Sequence, residues 1–191
     1  LSFEAQLEAR ILMLSVNNIL LPSNGRPVAT PSQDIVIGIH YVTKERANVK
    51  GEGCRFSSMD EVLYAHSQKM IDLHAKIKVE HEGTILETTT GRVIFYQIFP
   101  QGMTFFNKVA TKKNLEELVL AAHAKLGSVR TADFLDKLKT LGFEYATLAG
   151  ITVGIDDLTI PKMKKELVAQ AEKEVAKILR DYEKGVITNS E

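Results

Sequence analysis

Apolar residues recur at helical spacing from the first residues of the chain. Phe3, Leu7, Ile11 and Leu14 lie three or four positions apart and form one stripe. Ser2 is placed to cap a helix, and the acidic residue in the first turn favours its positive end. The pattern predicts an amphipathic helix whose apolar face must pack against another element.

The same spacing returns over residues 161–184, which form the longest predicted helix. Pro161 suits its first turn. One narrow apolar seam runs along this helix, and lysines and glutamates occupy its other faces. Such a seam is typical of a coiled-coil helix that pairs with one partner helix. The seam residues are Met163, Leu167, Ala171, Val175, Ile178 and Tyr182.

The middle of the chain contains a predicted hairpin and two ambiguous runs. Residues 75–81 alternate apolar and charged positions, which predicts a half-buried strand that turns at Glu82-Gly83 and pairs with residues 85–88. The apolar runs at 35–43 and 91–99 each fit a helix or a strand, because their β-branched residues favour a strand while their spacing allows a helix.

Further helices fill the remaining sequence. One begins near Ser57-Ser58 and breaks near Ser67. Another begins at Asn114 and stops at Gly127, and a separate helix over 131–141 stops at Gly142, since glycine is common just past a helix end. Together these elements predict an α+β fold that is predominantly helical, with a small hairpin or sheet and a long coiled-coil-type helix at its end.

Composition narrows the classes of function. A chain of 191 residues with 45% hydrophobic content can bury the core of one domain, or of one domain and part of another. Basic and acidic residues number 24 each, so no overall positive field attracts nucleic acid. A single cysteine excludes an internal disulfide and fits a reducing compartment. No apolar run approaches the ~20 residues of a membrane helix.

Candidate chemistry is sparse. The five histidines lack the spacing that places two metal ligands on one helical turn. Cys54 is more typical of a small buried apolar residue than of a nucleophile. Asp156 and Asp157 have no third ligand nearby, so they favour stabilisation of the following helix over cation binding. The sequence predicts no catalytic residue, no metal ligand and no cofactor.

A proline-rich bend at 21–38 precedes the first ambiguous run. Its three prolines exclude a long helix, and Ser32 or Asp34 could cap a helix that begins near Ile35. Gln33 and Asp34 are the pair of greatest interest here. From the residues alone they are a helix cap and a side chain bonded to backbone.

Short motifs occur in a fixed order along almost the whole chain, at 17–27, 31–34, 48–53, 73–77, 87–95, 142–147, 150–157 and 160–161. In this order they resemble the largest catalytic (beta-prime) subunit of bacterial DNA-directed RNA polymerase. Lys69, Thr90 and Ala149 replace residues usual in that family, and the helix over 131–140 matches poorly where some relatives bind a regulatory nucleotide.

The resemblance implies a domain division and a location. Residues 1–150 would form the pore domain, together with the helix at 1–20 that leads into it. Residues 151–191 would form the start of the funnel. In that family both line the secondary channel, through which nucleotides enter and backtracked RNA leaves, and the same location would be expected here. Gln33 and Asp34 would lie near the RNA 3′ end or the incoming nucleotide.

The helix over 161–184, with Asp156 and Asp157 before it, would be the first arm of the rim coiled coil, to which transcript-cleavage factors dock. The implied enzyme is a nucleotidyltransferase that uses two Mg²⁺ ions held by aspartates outside this sequence. The piece alone would therefore be inactive. Its implied partners are the other polymerase subunits, DNA, RNA and nucleoside triphosphates, in the bacterial cytoplasm at the nucleoid and away from membranes.

A second hypothesis needs no resemblance. The uncovered seam at 161–184 also fits an independent helical protein-interaction module that pairs through its C-terminal helix.

Overall fold

A computed structural model describes residues 2–188 of the chain. The chain divides into two compact units, one ending at Ile151 and the other beginning at Thr152. The assignment of these units to a pore domain and a funnel stays a prediction.

The described residues form six α-helices and three strands, which confirms the predicted predominantly helical α+β class. In chain order they are α1 (Phe3–Met13), α2 (Gln33–Thr43), β1 (Arg55–Phe56), α3 (Met59–Ser67), β2 (Lys76–His81), β3 (Thr84–Thr89), α4 (Thr90–Tyr96), α5 (Lys112–Ala149) and α6 (Lys164–Glu183), with short 3-10 turns at Ser15–Asn18 and Ile155–Asp157.

Both ambiguous runs are helical, as α2 and α4. In α2, Ile39 and Val42 are fully buried on one face, so the spacing of three outweighs the β-branched composition. In α4, the Thr89 hydroxyl accepts a hydrogen bond from the Arg92 backbone N–H at 3.3 Å and caps the helix directly after β3. The local cap therefore decides where strand gives way to helix.

The predicted hairpin is confirmed as β2 and β3. The two strands pair antiparallel from Lys76 opposite Thr89 to His81 opposite Thr84. Glu82 and Gly83 both have positive φ, as a two-residue turn of this twist requires. The two-residue strand β1 adds parallel to β2 and gives the sheet order β1-β2-β3.

Two buried clusters form the core of the first unit. The first cluster joins α2, α4 and α5, and the second joins α3, β2 and α4. Helix α4 contributes Phe95 to the first and Val93 to the second, both with no exposed surface. Other main members are Ile39, Val42, Leu115, Phe134 and Leu138 in the first, and Val62, Ile77 and Val79 in the second.

The predicted ends of the later helices are partly wrong. Gly127 does interrupt α5, with φ 76° and ψ 176°. Gly142, however, is buried inside α5 against Ile35 of α2, because that crossing leaves no room for a side chain. Helix α5 ends instead at Gly150, which has the left-handed φ of 59°. At 38 residues including its break, α5 is also longer than α6, which has 20 and begins at Lys164 rather than Pro161.

One local prediction is wrong as well, and another is only partly correct. Cys54, predicted to be buried, is exposed: it directly follows the turn that contains Gly51 and Gly53 and directly precedes the short strand β1. Ser32 occupies the N-cap position of α2, but its side chain makes no capping hydrogen bond. The turn into α2 is closed by backbone instead, since the Ile35 N–H donates to the Ser32 carbonyl at 3.2 Å.

Candidate functional site

The bend before α2 is an ordered structure that presents Gln33 and Asp34. Leu20 and Pro27 form an antiparallel bridge, and the Val28 N–H donates to the Ile19 carbonyl at 2.8 Å. Ile19 is buried, which fixes this bridge to the rest of the unit. The chain then delivers Gln33 and Asp34, both exposed, to the first turn of α2.

Gln33 has an unusual backbone conformation, with φ at 48°. A non-glycine residue in this region is uncommon and costs of order 1 kcal/mol or more. Such strain persists where neighbouring structure fixes it, and it clusters at functional positions. Asn48, Lys69 and Glu82 also have positive φ, so at Gln33 the conformation adds to the resemblance and is not by itself evidence of function.

Helix α2, which begins with this pair, crosses α5 at close range. Gly38 of α2 packs directly against the Gly142 carbonyl of α5, so the two helix backbones approach as closely as glycine permits. A small cavity of about 200 Å³ is lined in part by Asp34. Its other lining residues are Ile37, Phe143, Ala146, Thr147 and Ile151. Ile37 and Phe143 are 40% and 48% exposed, which leaves the cavity open to a ligand.

The predicted seam lies on α6, in the second unit. Its residues are all exposed, as the sequence predicts: Met163 61%, Leu167 58%, Val175 55%, Ile178 57%, Tyr182 49%, and Ala171 likewise. Within the described residues of the second unit, nothing buries any side chain of α6. The seam is therefore free to pair with another helix.

Helix α1 shows the same uncovered character in the first unit. Ser2 caps it by accepting from the Ala5 N–H at 3.3 Å, as expected. Phe3 is 86% exposed, and Leu7, Ile11 and Leu14 are each more than half exposed. The predicted apolar stripe on this helix is confirmed as an exposed surface.

Asp156 and Asp157 do not cap α6. They lie in the 3-10 turn Ile155–Asp157, several residues before the helix begins at Lys164. The Asp157 carboxylate accepts a hydrogen bond from the Gly154 N–H at 2.9 Å and closes that turn. The predicted stabilisation of the following helix is therefore wrong, and the carboxylate stabilises its own turn.

Arg92 is a buried charge that the sequence does not reveal. Its Nε donates to the Thr43 carbonyl at 3.1 Å, and its Nη1 donates to the Asn107 side-chain oxygen at 3.1 Å. Burial lowers the pKa of this guanidinium below its ordinary value, with an opposing effect from Glu45. Arg92 thus joins α2, α4 and the loop before α5, and its role is structural.

Within residues 2–188, no three histidine, cysteine, aspartate or glutamate side chains come together in a way that could hold a metal ion. In the same residues, no helix is both long and apolar enough to cross a bilayer.

Comparison with known proteins gives a consistent result. The family RNA polymerase Rpb1, domain 3, matches residues 18–158. The chain is 47% identical over 193 residues to the DNA-directed RNA polymerase subunit beta′ of Thermodesulfovibrio yellowstonii, 46% over 192 residues to that of Desulforamulus reducens, and 42% over 206 residues to that of Francisella philomiragia.

These alignments cover the whole of this chain but only 14%, 16% and 14% of the respective relatives. The match to the domain family and the sequence identity over the whole of this chain both agree with the order of motifs along the sequence. The chain therefore belongs to the bacterial DNA-directed RNA polymerase beta′ subunit family, and residues 18–158 are its Rpb1 domain 3.

Proposed function

We propose that this chain lines the secondary channel of a DNA-directed RNA polymerase, a nucleotidyltransferase that makes RNA from nucleoside triphosphates on a DNA template. Membership of the beta′ family supports the proposal that the parent protein is part of this enzyme. The observation that carries the location is Gln33, an exposed amide in a strained conformation at the start of a helix that is packed to glycine contact. Nucleotides entering the channel and backtracked RNA leaving it would pass this residue.

The chemistry of the first turn of α2 favours a sugar hydroxyl as the ligand of Gln33. The positive end of a helix ordinarily attracts phosphate. Here Asp34 places a carboxylate in that turn and repels an anion. The Gln33 amide both donates and accepts hydrogen bonds, as a ribose hydroxyl also does. Gln33 is thus suited to the ribose of the RNA 3′ end or of the incoming nucleotide.

Helix α6 serves in this proposal as the first arm of the channel-rim coiled coil. Its exposed seam supports pairing with a second arm supplied by the rest of the subunit, and transcript-cleavage factors would dock on the pair. The Mg²⁺ ions of such an enzyme do not fit the residues described here, since no three ligands converge within 2–188. The proposal accordingly assigns no catalytic step to them.

The location of Gln33 is tested in a polymerase whose beta′ subunit carries this sequence. We expect Gln33→Ala to raise the KM for nucleoside triphosphates roughly three- to tenfold, the value of one hydrogen bond. Gln33→Asn keeps the amide and tolerates the left-handed backbone, so its effect should be smaller. Glu117→Gln, an exposed change on α5, is the control. An unchanged KM in Gln33→Ala would contradict a contact between Gln33 and the ribose.

An independent interaction module that pairs through α6 is the second candidate, and only the exposed seam favours it. The two candidates differ in what surrounds this sequence in its gene. An open reading frame that continues on both sides with the rest of a beta′ subunit supports the polymerase. A start codon and a stop codon at its two ends support the module.

A further inference from the structure

A second cavity, of about 460 Å³, lies in the first unit, away from α2. It is bounded by the start of α3, the end of β2 with its turn, and the end of α4. Three carboxylates line it, those of Asp60, Glu80 and Glu82, and all three residues are exposed. Among the described residues, no lysine or arginine lines this cavity, although the chain has equal numbers of acidic and basic residues.

Aromatic rings form another part of the cavity lining. His81, Tyr96 and Phe99 line it, and each is partly exposed. The ring centroids of His81 and Tyr96 lie 5.6 Å apart, and those of Tyr96 and Phe99 lie 5.4 Å apart. Phe105 packs against both His81 and Tyr96 at 6.0 and 5.1 Å. These contacts pack the rings against one another along one part of the cavity lining.

The three carboxylates have no cationic partner in the described part of the chain. Its ion pairs join Lys76 and Lys78 to Glu87, and Lys139 to Asp136. Glu61, next to Asp60, is engaged by the N–H and the hydroxyl of Ser57. The carboxylates are also spread around the cavity and do not converge as metal ligands do.

We propose that this cavity docks a basic segment of a protein partner by taking up an arginine side chain. A guanidinium is planar, so it stacks on aromatic faces while its fork of N–H groups donates to carboxylates. The cavity offers both surfaces side by side, and the uniform sign of its charge selects a cation. A lysine ammonium would gain the charge attraction but would lose most of the stacking. This docking site is independent of the proposed role of Gln33.

The test is a titration of the isotope-labelled 191-residue chain with the peptide acetyl-Gly-Arg-Arg-Gly-amide, followed by amide NMR shifts at about pH 8, where histidine is ordinarily neutral. We expect saturable shifts at His81, Glu82, Tyr96 and Phe99. The variant Asp60→Asn/Glu80→Gln/Glu82→Gln should bind about tenfold more weakly. The matched variant Glu8→Gln/Glu117→Gln/Glu174→Gln removes three exposed charges elsewhere and should bind as the parent does.

Changes on the peptide side keep the test independent of variant folding. Citrulline in place of both arginines keeps the shape and removes the charge, so it should abolish the shifts. Lysine in place of arginine should weaken them. Equal binding by the citrulline peptide or by spermidine would overturn the proposal, as would shifts that lie outside the cavity or an equal loss in the control variant.

Discussion

At the residue scale, Thr43 at the end of α2 forms hydrogen bonds with several separate parts of the chain. Its buried hydroxyl donates to the Ile39 carbonyl and accepts from the Ala110 N–H, both at 2.9 Å. Its carbonyl accepts from Arg92, whose other nitrogen reaches Asn107. Asn107 in turn donates to the Glu87 carbonyl at 2.7 Å. This network joins α2, β3, α4 and the segment that leads into α5.

We expect Thr43→Val to lower the free energy of unfolding by about 1–3 kcal/mol, because it leaves the buried Ala110 N–H without an acceptor at nearly unchanged volume. Urea denaturation of the isolated chain measures this change. Thr147→Val is the matched control, since the Thr147 hydroxyl bonds only within α5 and is exposed. Equal effects of the two substitutions would show that the Ala110 contact contributes nothing.

Glu87 offers a test of electrostatics on the sheet. Its carboxylate accepts from Lys78 at 2.9 Å and lies 3.8 Å from Lys76. The Lys78 hydrogen bond, followed by the charges of both lysines, lowers the pKa of Glu87 below its ordinary 4.5. Because the folded-state pKa is lowered, the pair stabilises the fold above the unfolded-state pKa and this contribution is lost as the pH falls through the folded-state value.

We therefore expect Lys78→Gln to raise the pKa of Glu87 toward 4.5, as measured by NMR titration of its side-chain carboxyl carbon. Lys139→Gln, which removes the partner of Asp136 on α5, should leave the pKa of Glu87 unchanged. The pair is largely solvent-exposed, so its effect on stability is small. A pKa that stays low in Lys78→Gln would assign the shift to another cause.

At the element scale, the crossing of α2 on α5 is fixed by two glycines. A side chain at Gly38 would overlap the Gly142 carbonyl, and one at Gly142 would lie 2.7 Å from the Ile35 side chain. We expect Gly38→Ala to destabilise the first unit by about 3 kcal/mol, at the upper end of overpacking costs. Gly154→Ala, which meets only a carboxylate oxygen at 3.5 Å, should change stability far less. Similar denaturation midpoints for the two variants would contradict this crossing.

Helices α1 and α6 should be the least stable of the longer helices in the isolated chain. Among the described residues, neither buries any side chain, so both lack the tertiary packing that supplies most helical stability. We expect their amide hydrogens to exchange much faster than those of α2 and of the part of α5 that contains Phe134 and Leu138. Core-like protection of α6 in a monomeric sample would contradict the description of its seam as uncovered.

Periodicity predicted the elements that depend on local pattern alone. The stripe of α1, the seam of α6 and the alternation of β2 all appear where the sequence places them. The runs that became α2 and α4 stayed ambiguous, because the close approach of Gly38 to α5 and the Thr89 cap are what select the helix. The sequence also predicts a helix end at Gly142, because the position of a glycine does not distinguish a helix stop from a close contact between two helices.

The sites show a similar limit. Gln33 was singled out by resemblance, but its strained φ is visible only in three dimensions. The acidic and aromatic cavity combines three separate segments, at 57–60, 80–82 and 96–101, and none of them is unusual by itself. The sequence alone does not predict such a cavity, because its lining depends on the strand register and on the position of α4.

At the scale of the whole molecule, each unit carries an apolar surface that its described residues leave open, on α1 and on α6. Exposed apolar stripes of this kind mark interfaces. The chain spans only about a seventh of the length of the beta′ relatives that it matches, with 14% for the Thermodesulfovibrio subunit. Under the proposed function, we expect the remainder of such a subunit to cover both surfaces.

The most direct measurement is a cryo-electron microscopy structure of a transcribing RNA polymerase whose beta′ subunit contains this sequence. We predict that Gln33 lies within hydrogen-bond distance of the ribose at the RNA 3′ end or of the incoming nucleotide, and that the Met163–Tyr182 seam packs against a second helix of the same subunit. A map in which Gln33 faces away from the channel and the seam is exposed to solvent would contradict it.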